Sequence, residues 1–326
     1  MSTQTLSKQG QNPLLRALKF MWSDYSIILV AVVFFIAMGL VNPRFVQLSN
    51  IMVILRQASI IGVIAVGMTF VIITGGIDLS SGHVVATAGA VLIYLQGNPE
   101  IPLIVAILAC LGTATVLGFI NGFIITQFRI PAFIVTLAIG VMARSVAVYM
   151  VGGRSITGIR EASFTQIGAG SIGFIPYALI MWIILTLVAG YVLKYTKYGT
   201  YTYAVGGSEI AAKYSGISPN KTKVIAYGLT GLCAGMAALL DFSRMASITV
   251  PTSGYLYEFD AITAVIVGGT VLSGGRGNVL NTFFGVIIII SVNNLMVMLG
   301  VSPYLGGMIR GLVILAAVLL QRREKA

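Results

Sequence analysis

The chain has 326 residues, 57% of them hydrophobic and only 9% charged, at a mean hydropathy of +0.97. A soluble domain carries about 25% charged residues, so this composition excludes a water-soluble globular protein. The formal net charge of +11 would point to nucleic acid in a soluble chain; in an apolar one it is first a topology signal.

The apolar residues stand in long unbroken runs, the pattern of spanning α-helices; barrel strands are shorter and alternate. At the N-terminus, Lys8, Arg16 and Lys19 precede an apolar run over 25–41. That run is too long for an ordinary signal-peptide core, and Asn42-Pro43-Arg44 follows it where small residues would mark cleavage, so it reads as a retained anchor. Before it, a helix beginning at Pro13 would place Leu14, Leu18, Met21 and Trp22 on one face, and residues 1–24 are expected in the cytoplasm or at the membrane surface.

Ten candidate spans follow one another at 25–41, 51–73, 82–96, 102–126, 131–150, 177–195, 222–243, 258–271, 279–299 and 304–320. A span needs about 20 residues. Segments 82–96 and 258–271 fall short and border Gly-rich turns, which fits half-helices or re-entrant segments. With the N-terminus inside, the cytoplasmic segments hold 13 lysines and arginines, among them Arg129, Lys194, Lys213, Lys223 and Arg276, and the outer loops hold three, Arg44, Arg154 and Arg160. That bias predicts both termini in the cytoplasm and removes the case for a nucleic-acid partner. The expectation is an all-α polytopic membrane protein, one transmembrane domain over 1–326, with membrane lipid around it. Cys110 and Cys233 lie inside apolar runs and read as buried thiols.

Gly75-Gly76-Ile77-Asp78-Leu79-Ser80-Ser81-Gly82 matches Gly268-Gly269-Thr270-Val271-Leu272-Ser273-Gly274-Gly275 at five of eight positions, at an offset of 193. Transporters are often built from two related halves. The topology puts both Gly-Gly segments on one side, whereas two five-span halves would be inverted; the sequence leaves that conflict open.

The longest polar stretch runs over 194–223. Ser208 is placed to cap a short helix with Glu209 in its first turn, and Gly216 to end it, with Pro219 beyond. A helix of about two turns is expected in a cytoplasmic loop over 196–221. Ala211-Ala212 would leave a notch for a partner; the plain alternative is a solvated connection. Gly118-x-x-x-Gly122 and Gly231-x-x-x-Gly235 read as close-packing faces.

Three separated motifs, in order, resemble the permeases of ribose-type ABC importers. They are Gly67-Met68-Thr69 with Ile73 through Ser80; Gly206-Gly207-Ser208-Glu209-Ile210-Ala211-Ala212 with Ser215-Gly216-Ile217; and Gly254-Tyr255, Glu258, Asp260-Ala261-Ile262 with Gly268-Gly269-Thr270 and Leu272 through Gly277. Ile210 stands where importer permeases commonly have Glu, and Glu209 falls one position early. The resemblance implies a subunit of the bacterial inner membrane that pairs with a second permease, identical or different. A cytoplasmic ATPase would dock on the loop of Ser208, Glu209, Ala211, Ala212 and Gly216, and a periplasmic sugar-binding protein would deliver a monosaccharide or sugar-like molecule. Gly274-Gly275-Arg276-Gly277 lacks the Lys-Ser/Thr of a phosphate loop, so ATP and magnesium are expected on the ATPase chain, with no cofactor, metal or catalytic residue in this one.

Polar groups inside apolar segments face protein, water or a partner. Asp78, Asn121, Asp260, Asn281, Asn293 and Asn294 are the candidate lining of a translocation path; for each, helix–helix fastening or capping is the plain alternative. Asp241 and Arg244, three apart, are placed to pair on a helix, and Asp260 and Arg310 are a second candidate pair. His83, the single histidine, is expected as a packed residue. A self-contained ion-coupled carrier of a small polar solute is the second reading, and it offers no role for a capped Ala-Ala helix in the cytoplasm. An intramembrane enzyme is a poor third, since no pair of catalytic groups is present.

Overall fold

The computed structural model describes residues 26–158 and 162–302, with positions 305, 307, 308, 311, 312 and 315 beyond them. The helix expected from Pro13, together with Arg160 and Arg310, lies outside the described residues, as does the tenth span at 304–320 apart from those six positions. Within them the apolar runs become helices: α1 (Ser26–Val41), α2 (Leu48–Ile73), α3 (Ser81–Gln96), α4 (Leu103–Phe128), α5 (Ala132–Met150), α6 (Ala162–Ala169), α7 (Tyr177–Tyr195), α8 (Lys197–Gly207), α9 (Glu209–Tyr214), α10 (Pro219–Met245), α11 (Tyr257–Val267) and α12 (Val279–Met298). Helices α2, α4, α5, α7, α10 and α12 are long and apolar enough to cross a membrane, and α1 and α3 are apolar but shorter. The run expected as a span over 258–271 stops as a helix at Val267, because the chain turns at Gly268 and Gly269, the latter at φ +85°.

Helix α10 is the centre of the bundle, packed on α2, α3, α4 and α6. Its approach to α4 is made by glycine on glycine: a Cβ on Gly231 would sit 3.0 Å from the Gly118 Cα, so the two Gly-x-x-x-Gly segments pack on each other. In lipid the hydrophobic effect does not press helices together, and backbone contact of this kind carries their packing. Gly62 of α2 similarly leaves room for the indole of Trp182 on α7, which is fully buried and stacked on Phe283 of α12 at 4.1 Å between ring centres. Outward-facing Leu108, Val146 and Leu187 remain exposed, the apolar surface that lipid would cover.

Two ends can be told apart. At one, the two-residue strands β1 (Ile156–Thr157) and β4 (Ser247–Ile248) pair antiparallel, joining the segments that follow α5 and α10. A second pair, β2 (Ser171–Ile172) with β3 (Ile175–Pro176), leads into α7. At the other end, the C-terminus of α2, the start of α10, the 268–278 turn and the helices α8 and α9 gather.

Candidate functional site

Helix α9 forms where its caps dictate. The Ser208 hydroxyl accepts from Ala211 N at 3.2 Å, and the chain leaves through Gly216 at φ +80°. Gly216 N donates to Lys213 O and Ile217 N to Ala212 O, both at 3.0 Å, the paired bonds of a glycine-terminated helix end. Lys223, in the first turns of α10, forms an ion pair with Glu209. This clamp sets the rotation of α9. Ala212 turns inward and is buried, whereas Ile210, Ala211 and Tyr214 face out, with Ile210 72% and Tyr214 90% exposed. The notch expected from Ala211-Ala212 is therefore Ala211 alone, flanked by two large apolar side chains.

Before α9 stands α8, which carries no apolar run to announce it. Thr196 caps it, its hydroxyl accepting from Gly199 N at 3.3 Å. Tyr198 stacks on Phe70 of α2 and donates to Thr222 O of α10 at 3.2 Å, and Tyr203 donates to Gly277 O at 2.8 Å. Burial pushes both phenols above their ordinary range, so they stay protonated donors.

Three glycine pairs that stand far apart in the sequence meet here. Gly275 N donates to Ile73 O, the last residue of α2, at 2.9 Å. Gly206 lies over that bond, so that an added Cβ would run into both Ile73 O and Gly275 N. A Cβ on Gly274 would come within 2.9 Å of both Gly75 N and Gly206 O. The two Gly-rich turns also end their helices alike. Gly76 N donates to Val71 O and Gly75 N to Ile72 O; Thr270 N donates to Val265 O and Gly269 N to Ile266 O. The structural equivalents are Gly75 with Gly269, one residue out of step with the sequence match, and both ends lie on the α9 side of the bundle.

The six candidate path residues fall into three places. Asp78 accepts from Ser80 N at 2.8 Å and from the Ser80 hydroxyl at 2.6 Å, and Asn121 Nδ2 donates to that hydroxyl at 2.8 Å. With Thr136 accepting from Leu79 N and Tyr227 donating to Ile77 O, these groups fix the break between α2 and α3. Asn281 lies apart, in the first turn of α12 against Gly268. Asp260, Asn293 and Asn294 share a cavity of about 830 Å³ between the N-terminal half of α2, the ends of α10 and α12, and the start of α11. Asn294 is fastened to Asn50 by two amide bonds of 3.0 Å, one in each direction.

Gln57, Asp241, Arg244 and Tyr257 also line that cavity. The Tyr257 hydroxyl donates to Asp241 Oδ2 at 2.9 Å, and Arg244 pairs with Asp241 at 3.7 Å, as the spacing of the two suggested. Gln57 and Tyr257 were not singled out from the sequence. Tyr257 had a signal, standing beside Glu258 and Asp260 at the start of a short span; Gln57 had none. On the other side of α11, Arg144 donates to Pro251 O at 3.1 Å and to Gly82 O at 3.3 Å, tying the 250–251 segment to the start of α3. His83 packs on α5 at Gly140. Among the described residues no group of acidic, His and Cys side chains could hold a metal ion.

The profile of a family described as the permease component of the branched-chain amino acid transport system matches residues 50–318. The ribose import permease protein RbsC of Haemophilus influenzae is 42% identical over 90% of this chain and 90% of its own. RbsC of Escherichia coli is 38% identical over the whole of both chains. The L-arabinose transport system permease protein AraH of Escherichia coli is 33% identical over 94% of this chain and 92% of its own. No solved structure matches.

Proposed function

The chain belongs to this family of transport permeases, and from that premise we propose that its cargo is a monosaccharide, carried into a bacterial cell at the expense of ATP hydrolysed by a separate subunit. It is a multi-pass protein of the inner membrane and the membrane subunit of an ABC importer. The family's description names amino acids, while the relatives that align over nearly the whole chain carry the names of ribose and arabinose systems; whole-length likeness is the better guide to cargo.

Ten crossings with both termini in the cytoplasm accommodate the helices, α3 and α11 being the partial ones. A two-domain ATPase, holding ATP and magnesium, docks on α9. A second permease subunit completes the path, and a periplasmic sugar-binding protein delivers cargo to the opposite face. The observation that carries this reading is the surface of α9. Ile210 and Tyr214 stand exposed on a six-residue helix at the polar end of the bundle, where lipid does not explain them and a protein partner does. The same loop is joined through α8 to the end of α2 and to the 268–277 turn, so displacement of α9 reaches the elements that border the polar interior. ATP drives the cycle by favouring the ATPase arrangement that holds one position of α9 over the other.

The test is co-purification of the ATPase from membranes. Wild-type chain retains it, and Tyr214→Asp with Ile210→Asp loses it while still inserting. Retention by the double variant refutes docking on this face.

A further inference from the structure

A second cavity, also of about 830 Å³, lies at the α9 end of the bundle. It is lined by the turn between α4 and α5, by α9 with the 216–218 link, and by the first turns of α10. Its charged side chains are Arg129, Lys213 and Lys223 against Glu209, three cations to one anion. Glu209 is paired with Lys223. Arg129 and Lys213 have no ion-pair partner among the described residues. Asp78, two residues past Gly76, is buried, bonded to Ser80 and not part of the lining. The backbone does not call for arginine at 129. Arg129 ends α4 at φ +55°, a left-handed position in which Asn is more at ease. The cavity also meets the apolar outer surface. Phe128 and Phe133 flank the α4–α5 turn and are exposed, and Ile130, exposed as well, lines the cavity. The apolar runs of α4 and α5 stop at this turn, so it lies where hydrocarbon gives way to headgroups.

We propose that this cavity holds the phosphate headgroup of an anionic phospholipid from the leaflet on the α9 side, with the acyl chains lying along Phe128 and Phe133. The volume falls in the range of small-molecule sites. Arg129 offers a planar fork that grips two phosphate oxygens, and Lys213 brings a point charge from α9. Lys223 contributes less, because its ammonium is shared with Glu209. A zwitterionic headgroup carries its own ammonium against this basic wall and is disfavoured. A soluble phosphate has the charge but no chains to cover the two phenylalanines. Arg129 stands on the α4–α5 turn and Lys213 on α9, so one phosphate ties α9 to the bundle at a second point, beside the Lys223 clamp. The assignment stands on the cavity and the bilayer alone, whatever the chain carries and whatever docks on α9.

The test uses the assembly purified from membranes, its native lipid exchanged for detergent. It is titrated with phosphatidylglycerol while amide hydrogen exchange is followed over residues 208–217. Phosphatidylglycerol slows that exchange; phosphatidylcholine with the same chains and millimolar glycerol phosphate do not. Arg129→Asn moves the titration to about fivefold more lipid, and Lys213→Gln does the same. Asn suits the left-handed backbone, so this shift reads the charge and not the turn. Arg129→Lys, which keeps the charge and loses the fork, moves the titration less. Higher ionic strength weakens binding in the wild type. Equal slowing by phosphatidylcholine overturns the charge argument. Slowing by glycerol phosphate as effective as by the lipid makes the ligand a soluble phosphate and overturns the lipid. A titration unmoved in both Arg129→Asn and Lys213→Gln overturns the site.

Discussion

Replacing Gly206 with Ala tests whether α8 and α9 drive the rest of the bundle. The added Cβ would occupy the place of Ile73 O and come within 2.5 Å of Gly275 N, both backbone atoms that no rotamer change can move aside. Overpacking costs about 1–3 kcal/mol, and loss of the 2.9 Å bond from Gly275 N to Ile73 O adds about 1 kcal/mol. A bias of about 2 kcal/mol shifts a two-state balance roughly 30-fold, enough to hold the junction in one arrangement. Gly207 is the control, since a Cβ there meets nothing within 4 Å. Uptake and ATP hydrolysis measured in the same vesicles should show Gly206→Ala hydrolysing ATP with uptake reduced about tenfold or more, the ATPase still bound, and Gly207→Ala close to wild type. Equal uptake in the two variants would refute the claim that the glycine junction transmits the motion of α9.

Gly216→Ala, at φ +80°, strains the end of α9 by about 1 kcal/mol; co-purification should show weakened ATPase retention, and Gly216→Pro more so. Gly231→Ala forces α10 away from α4 and should destabilise by about 1–3 kcal/mol, read as a fall of several degrees in melting temperature in detergent, while Gly112→Ala, whose Cβ would meet nothing within 4 Å, leaves it unchanged. Arg144→Met removes the bonds to Pro251 O and Gly82 O, each worth about 1.5–3 kcal/mol for a charged donor. Limited proteolysis should then cut the 249–256 loop faster than in wild type.

What could be read from the sequence was what local chemistry decides. Ser208 and Gly216 announce α9 because capping is a matter of neighbouring residues, and the hydrophobic runs placed α7 within its observed limits. Helix α8 was hidden because Tyr, Thr and Gly carry little helix propensity; Tyr198 and Tyr203 hold it through partners on α10 and in the 268–277 turn. The facing of Ala212 depended on a clamp from Lys223, 14 residues from Glu209, which fixes a rotation that periodicity in six residues cannot. The Asn294 amide finds Asn50 across 244 residues, and nothing near either predicts it. The two Gly-rich turns matched one residue out of step because composition aligned them, whereas the positive-φ position that ends each helix is what they share.

Coupling requires that this chain move a sugar only when an ATPase drives α9. The most direct measurement is uptake of labelled D-ribose into vesicles containing the permease, its ATPase and its binding protein, energised in turn by ATP and by an imposed proton or sodium gradient. ATP alone should drive uptake, and the Tyr214→Asp and Ile210→Asp double variant should abolish it. Uptake powered by an ion gradient without ATP would contradict the account and identify a self-contained carrier.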